Sequence, residues 1–333
     1  MDTELPLRRG ENRAAQGPRE EATGGVRGCT LRMADDRERR DATVIDTELL
    51  PPLKQRLWGR LAVVNFFLGG AGAGAYLVAV SLTGFSATPL ARVALTLGPL
   101  LVLAGFLAVA VEAGRPLRGA KVLRMAETSW MSRESWAGGA FIALAALDFL
   151  WPWAGWRVAA APVALFFVLA QGWVLSNCRG VLAWNVPILP LVFLASALVS
   201  GAGVLSLAAP LGSGDADRLQ LATAALVLLS GFVWVAYSLW PGNRTFRQVA
   251  GGLREDSAVL GIFIVGHLLP LVLLVLGRRS PALAAAAAAL AGAGILIGQL
   301  QAKARLILKM GVLRPITIAS LAVRTTAEIG HGK

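Results

Sequence analysis

The sequence predicts an all-α integral membrane protein of about eight transmembrane helices, arranged as two four-helix bundles behind a disordered polar tail. Three observations predict it. The chain of 333 residues is 56% hydrophobic and only 16% charged, whereas soluble domains carry about a quarter charged residues. Its apolar residues gather into eight runs close to the roughly 20 residues that a helix needs to cross about 30 Å of hydrocarbon. Tryptophans and basic residues mark the ends of those runs, as they do at membrane–water boundaries.

The elements follow in order. Residues 1–56 hold 11 basic and 11 acidic side chains and no sustained apolar period, the composition of a disordered segment. No apolar stretch of the signal-peptide kind opens the chain. Met33 begins a shorter charged leader and is a candidate true start, which would make 1–32 a mis-assigned extension. Candidate spans are 61–83, 91–111, 136–152, 157–177, 186–207, 219–239, 257–276 and 281–302, within a membrane domain of residues 57–318, and a second tail covers 319–333. The third span is the shortest, and it parts from the fourth between Pro152 and Arg157. Eight of the ten tryptophans (Trp58, Trp130, Trp136, Trp151, Trp153, Trp156, Trp184 and Trp240) lie at or near span ends and read as an interfacial belt.

Small residues crowd the first span. Gly70 and Gly74, four apart, let helix backbones approach closely in lipid. The same run also fits a GxGxxA dinucleotide fingerprint. It lies inside an apolar span, however, and no acidic residue follows before Glu112, so helix packing is the better reading.

Residues 57–333 hold 21 basic and 9 acidic side chains, so the whole net charge of +12 belongs to the apolar part. In a soluble chain such a balance suggests nucleic acid; in short loops between spans it sets orientation. Eight spans place both termini on one side. Sixteen basic residues after residue 56 fall on that side, and five (Arg92, Arg157, Arg218, Arg278 and Arg279) on the other, which predicts cytoplasmic termini. Two cysteines, Cys29 and Cys178, are too few for an iron–sulfur cluster or a four-cysteine zinc site. His267 and the tail residue His331 are the only histidines, a poor basis for a haem with two axial imidazoles. The expectation is no metal, no haem and no cluster in this chain, so electrons crossing it need an organic carrier.

The segment after the second span is the most distinctive. It runs Glu112-Ala-Gly-Arg115-Pro-Leu-Arg118-Gly-Ala-Lys121, then Glu127-Thr-Ser-Trp130-Met-Ser132-Arg133-Glu134-Ser-Trp136. On composition alone it is an ordinary basic loop. Its GRP-x-R and TSWMSRE stretches resemble the corresponding loop in membrane subunits of the polysulfide reductase (NrfD-like) family, which includes anchor subunits of dimethyl sulfoxide reductase-like complexes. The opening helix resembles that family at Trp58-x6-Asn65-Phe-Phe-Leu-Gly-Gly-x-Gly-x-Gly74, and the fifth at Ala183-Trp-Asn-Val-Pro187 with Pro190, Phe193, Ser196 and Gly201. Gly311-Val-Leu-Arg-Pro315 is compatible. The resemblance covers roughly residues 58–318. It implies eight helices, a quinone (menaquinone or ubiquinone) held near one membrane face, and two partners: an iron–sulfur subunit and a molybdenum or tungsten pterin catalytic subunit.

A quinone ring needs hydrogen bonds at its carbonyl oxygens, a proton carrier and an apolar slot. Asn65, about one turn inside the first helix, can donate or accept. It matches a position where a related sequence has a quinone-contacting His; the alternative is an interhelical hydrogen bond. Glu112, ending the second helix, is a candidate proton carrier, or the partner of Arg115 or Arg118. Arg133 and Glu134 can pair and shape a pocket mouth with Arg115 and Ser132, while Trp130 can wall the ring; each has an equally good structural role. Asp148 either belongs to a proton route or reaches water on the far side, the second being preferred. For His267, an interhelical contact is preferred to a redox role. Two other functions remain open: a secondary transporter, although intramembrane charge is sparse here, and a passive scaffold without quinone chemistry.

Overall fold

The computed structural model describes residues 47–50, 53–114, 122–208, 215–242 and 244–318. The predicted tails at 1–46 and 319–333 and the loop residues Arg115, Arg118 and Lys121 lie outside the described residues. The chain divides into two units, residues 1–49 with 317–333, and residues 50–316. Of the first, the structure describes only part of a strand pair, β1 (Thr47–Leu50) with β2 (Ile316–Ile318).

The second unit is helical. Its long helices are α1 (Arg60–Thr83), α2 (Pro89–Glu112), α3 (Trp130–Leu150), α4 (Ala154–Ser176), α5 (Leu189–Ala208), α6 (Ala216–Ser238), α7 (Asp256–Arg279) and α8 (Pro281–Ala304), which the π-turn Arg305–Lys309 prolongs. Among the described residues, seven helices are long and apolar enough to cross a membrane. The exception is α3, long enough at 21 residues but carrying Arg133, Glu134 and Asp148. It also begins six residues before the predicted span, so the segment expected to be loop as far as Trp136 is helix from Trp130.

Local chemistry sets the helix ends. Thr88 accepts the Ala91 N–H ahead of Pro89, an ordinary N-cap. Gly84 ends α1 with φ +58°, and its N–H returns to Val80 O. The next residue, Phe85, also has positive φ, and its carbonyl accepts from Arg157 Nη1 at 2.5 Å.

Helices α1–α4 form one four-helix bundle, with α1 on α2, α2 on α3, α3 on α4 and α4 on α1. Helices α5–α8 form the second in the same cyclic order, and α1 and α5 join the two. Burial follows: 78% of the apolar window of α1 is covered by protein, against 22% of that of α2. On α2 the exposed Leu100, Leu103, Leu107 and Val111 repeat at helical spacing, the face for lipid. At the α1–α5 contact, a Cβ on Gly74 would overlap Ala197 O, and one on Gly201 would overlap the Gly74 carbonyl carbon. Gly70 behaves differently from expectation. Its missing side chain leaves room for Lys303 Nζ and Gln171 Oε1 rather than for a backbone.

Three connecting segments are stitched together beside the bundle. Gln55 N–H donates to Gly311 O and Leu313 N–H to Leu53 O, both at 2.8 Å, while Arg314 N–H donates to Gly180 O at 2.7 Å. Residues 53–56, expected as the end of the polar tail, are thus bonded to the segment that follows α8. Nearby, Arg305 Nη1 meets Glu255 Oε2 at 2.8 Å, and Arg305 with Lys309 holds the Glu255 carboxyl below the usual carboxylate range. Burial pushes the Cys178 thiol up.

Three expectations are corrected by side-chain placement. Trp184 is not an interfacial anchor: it is 3% exposed, and its Nε1 donates to Leu306 O at 2.8 Å. Lys303 and Arg305, counted as loop charges, are 1% and 5% exposed. Asp148 does not reach far-side water. It is buried against Arg157, Nε to Oδ2 at 3.1 Å, and also accepts the Trp153 N–H. The pairing joins two predicted spans: the turn at Trp151–Trp153 folds Arg157 of α4 back onto Asp148 of α3.

Candidate functional site

A cavity of ≈ 190 Å³ opens where α1, α2, α3 and α4 converge, at the end of the bundle where Leu57 and Trp58 lead into α1. Each polar lining residue is placed by its helix. Asn65 stands one turn into α1 and is 5% exposed. Gly105 of α2 lets that helix close on it, since a Cβ there would stand 3.2 Å from Asn65 Oδ1. Glu112 is the last residue of α2, and its Oε1 accepts the N–H of Gly59, the residue that caps α1. A carboxylate there also opposes the positive end of the α1 dipole. Glu134, one turn into α3, is buried; Gln171 of α4 donates Nε2 to its Oε1 at 3.3 Å, and Asn65 is its second side-chain partner.

The remaining walls are mostly apolar: Trp58, Ala62, Phe66, Phe106, Val109, Met131 and Val174, with Ser135, whose hydroxyl donates to Met131 O, the polar exception. Trp58 is held in place by rings, 5.2 Å from Phe66 and 5.4 Å from Trp184 between centroids. Two polar atoms at this cavity, Asn65 Oδ1 and Glu112 Oε2, are buried with no hydrogen-bond partner in the protein. An unpaired buried acceptor costs about 1–3 kcal/mol, so both are suited to a ligand that donates. An apolar chamber with a few convergent polar groups is the usual form of a small-molecule site. The hydroxyl-bearing head of a quinol fits that pair of acceptors, and the open side can pass an isoprenoid tail.

The structure therefore brings Asn65, Glu112 and Glu134 together and turns Arg133 and Trp130 elsewhere. Arg133 points away from Glu134. Its Nε and Nη2 donate to the carbonyls of Ala126 and Glu127 at 2.8 and 2.6 Å, and its guanidinium lies 4.5 Å from the Trp130 ring centroid. Trp130 stacks 4.7 Å from Trp173, so the pair braces the segment before α3 and does not wall the cavity. Ser132 is fully buried. Arg115 lies outside the described residues.

His267 sits in an interhelical network, as its preferred reading had it. Nδ1 is 2.7 Å from Ile262 O and Nε2 is 3.2 Å from Ser230 Oγ, with Gln299 joining both side chains. The surrounding π-helical stretch, Val259–Leu268, was not anticipated.

Sequence reasoning passed over Gln171 and Lys303. The signal was present: each is a polar residue inside an apolar run, and such residues face the protein interior. Lys303 was read as a topology charge because it stands near the end of its span.

Comparison with known proteins completes the description. The family model described as polysulphide reductase, NrfD, matches residues 51–303 of this chain. No curated protein matches it.

Proposed function

We propose, from the premise that this chain belongs to the polysulphide reductase NrfD family, that it is the quinone-reactive membrane subunit of a multi-subunit oxidoreductase. Its partners are an iron–sulfur subunit and a molybdenum or tungsten pterin subunit, which acts on the substrate. A menaquinone or ubiquinone, when bound, supplies two-electron, two-proton chemistry. The observation that carries the reading is the cavity at Asn65, Glu112 and Glu134, where two buried acceptors stand unpaired among apolar walls.

This chain's residues would divide the work. Asn65 and Glu134 hold the polar head by hydrogen bonds, and Phe66, Phe106 and Trp58 exclude water from it. Glu134 exchanges a proton at its carboxyl oxygen. Glu112, anchored through Oε1 to Gly59 N–H, offers Oε2 as a second proton acceptor at the mouth.

We place the cavity face and both termini in the cytoplasm of an inner-membrane protein. With the buried Lys303, Arg305 and Arg157 set aside, basic residues remain concentrated on the terminus side, which keeps the orientation.

The test is binding of decylubiquinone and of a short-chain menaquinone to the full chain in lipid nanodiscs. One of the two binds the unsubstituted protein. Asn65→Leu and Glu134→Gln each weaken it by about tenfold, the worth of one hydrogen bond of roughly 1.4 kcal/mol. Unchanged affinity in both variants would place the ring elsewhere.

A further inference from the structure

Beyond the cavity wall, the same side chains lead inward. Gln171 uses Nε2 on Glu134, but its Oε1 is buried without a partner. Lys303 of α8 is 1% exposed, and its Nζ also lacks a hydrogen-bond partner. These two atoms face one point: a Cβ placed on Gly70 would stand 3.0 Å from Lys303 Nζ and 3.5 Å from Gln171 Oε1. They approach it from α8 and α4, across the contact between the two bundles. One is a donor and the other an acceptor, both beside the bare face of Gly70, and a water between them would satisfy both. A lysine amine in such a place is a base as well as a cation.

We propose that Lys303 is the inner end of a proton line serving the cavity, with Glu134 as the group that meets the ring and Gln171 as the residue that positions Glu134 and the bridging water. This rests on the quinone reading of the cavity. When a quinol is oxidised, the Glu134 carboxylate takes a ring hydroxyl's proton, so one O–H bond breaks and another forms. The Lys303 amine then takes that proton through the water, an N–H bond forms, and Glu134 returns to carboxylate. The electrons leave separately to the iron–sulfur acceptor of the partner subunit. Reduction of a quinone runs the line backwards.

The groups around Lys303 leave Glu134 as its proton partner. Helix α5 presents the Phe193 ring, 5.3 Å from Nζ, and carries no titratable side chain between Leu189 and Ala208. On α1, Tyr76 is committed to Arg157 O at 2.9 Å, and Arg60 opens the helix. His267 of α7 is held by Ile262 and Ser230. Asp256 stands at the start of α7, with Arg278 and Arg279 at its far end. On the element of Lys303 itself, Arg305 is paired with Glu255, and Lys309 shares that carboxylate.

The experiment measures protons exchanged on binding, by calorimetry of decylubiquinone or short-chain menaquinone added to the full chain in nanodiscs, using buffers of different ionisation enthalpy from pH 5 to 9. The probes do not titrate as quinones, so any exchange belongs to the protein. In the unsubstituted chain, affinity should change by roughly tenfold across that range, with proton exchange to match. Lys303→Met should keep binding at its best pH but lose most of the pH dependence; Gln171→Leu should lose the pH dependence too, by cutting the line in its middle, and bind more weakly because Glu134 loses its Gln171 hydrogen bond. Lys303→His should restore a dependence, moved to lower pH because imidazole is the weaker base. If binding persists with an unchanged pH profile in Lys303→Met and Gln171→Leu, the proton line is overturned and the quinone site stands. If neither quinone binds the unsubstituted chain, the quinone reading falls and the line with it. Should Lys303→Met not fold, Gln171→Leu and Lys303→His decide the question alone.

Discussion

Asp148 and Arg157 show how single residues in this protein are used for structure where charge might suggest transport. The pair is buried to 2% and 8% side-chain exposure, and Arg157 also takes the carbonyl of Phe85. Removing one partner leaves the other uncompensated, which costs about 3–5 kcal/mol. Arg157→Met should therefore lower the thermal midpoint in detergent sharply, while Asp148→Leu with Arg157→Met should recover much of the loss. Additive losses in that double-mutant cycle would show that the pair is not coupled. At the cavity, the residue scale was partly legible. Asn65, Glu112 and Glu134 stand out because polar groups in apolar runs are costly. Trp130, Arg133 and Ser132 join them in the sequence because the segment as far as Trp136 reads as one loop. Helical geometry separates them: Arg133 and Glu134 are adjacent in sequence, but consecutive residues leave a helix in directions about 100° apart, toward different neighbours.

At the scale of elements, contact between α1 and α5 depends on glycine at two positions. A side chain at Gly74 meets Ala197 O, and one at Gly201 meets the Gly74 backbone. Gly201→Ala should destabilise by about 1–3 kcal/mol through overpacking. Gly139→Ala on α3, where a Cβ meets nothing, should be neutral or stabilising by up to about 1 kcal/mol through helix propensity. Unfolding of both variants in a denaturing detergent series measures the difference; equal effects would mean that the close approach is not needed. Span lengths, and hence eight helices, could be read from the chain because hydrocarbon thickness sets them. The early start of α3 and the π-turn Arg305–Lys309 could not, since both depend on what the helix ends pack against.

Across the whole molecule, the chain ends of the helical unit meet beside the cavity. The segments before α1, between α4 and α5, and after α8 share hydrogen bonds, and Gln55 adds its side chain to the carbonyls of Trp58 and Ile307. This clasp sets Trp58, which packs against Trp184 and lines the cavity. A Cβ on Gly311 would strike Ile307 O and stand 3.1 Å from Trp184 Cζ2. Gly311→Val should therefore weaken quinone binding by several-fold and lower stability by about 1–3 kcal/mol, although residue 311 touches no ligand. Native binding in that variant would separate the clasp from the site.

What the sequence determined by itself is the solvent in which this protein folds. Span length, the neutral tail against the basic remainder, and the shortage of cysteine and histidine all report on composition, and a bilayer selects on composition. Those features, with the motifs around Asn65 and the Glu112–Trp136 segment, were enough to name the fold and the family. Only the tertiary structure decided which polar residues meet. Lys303, Gln171 and Glu134 come from three helices and 170 residues of chain, and no period or spacing relates them. In lipid the hydrophobic pattern says that a helix is inserted but not which face turns inward, because tails and leucines are equally apolar. The small residues and unpaired polar groups settle that choice, and they do so only through contacts between helices distant in the sequence.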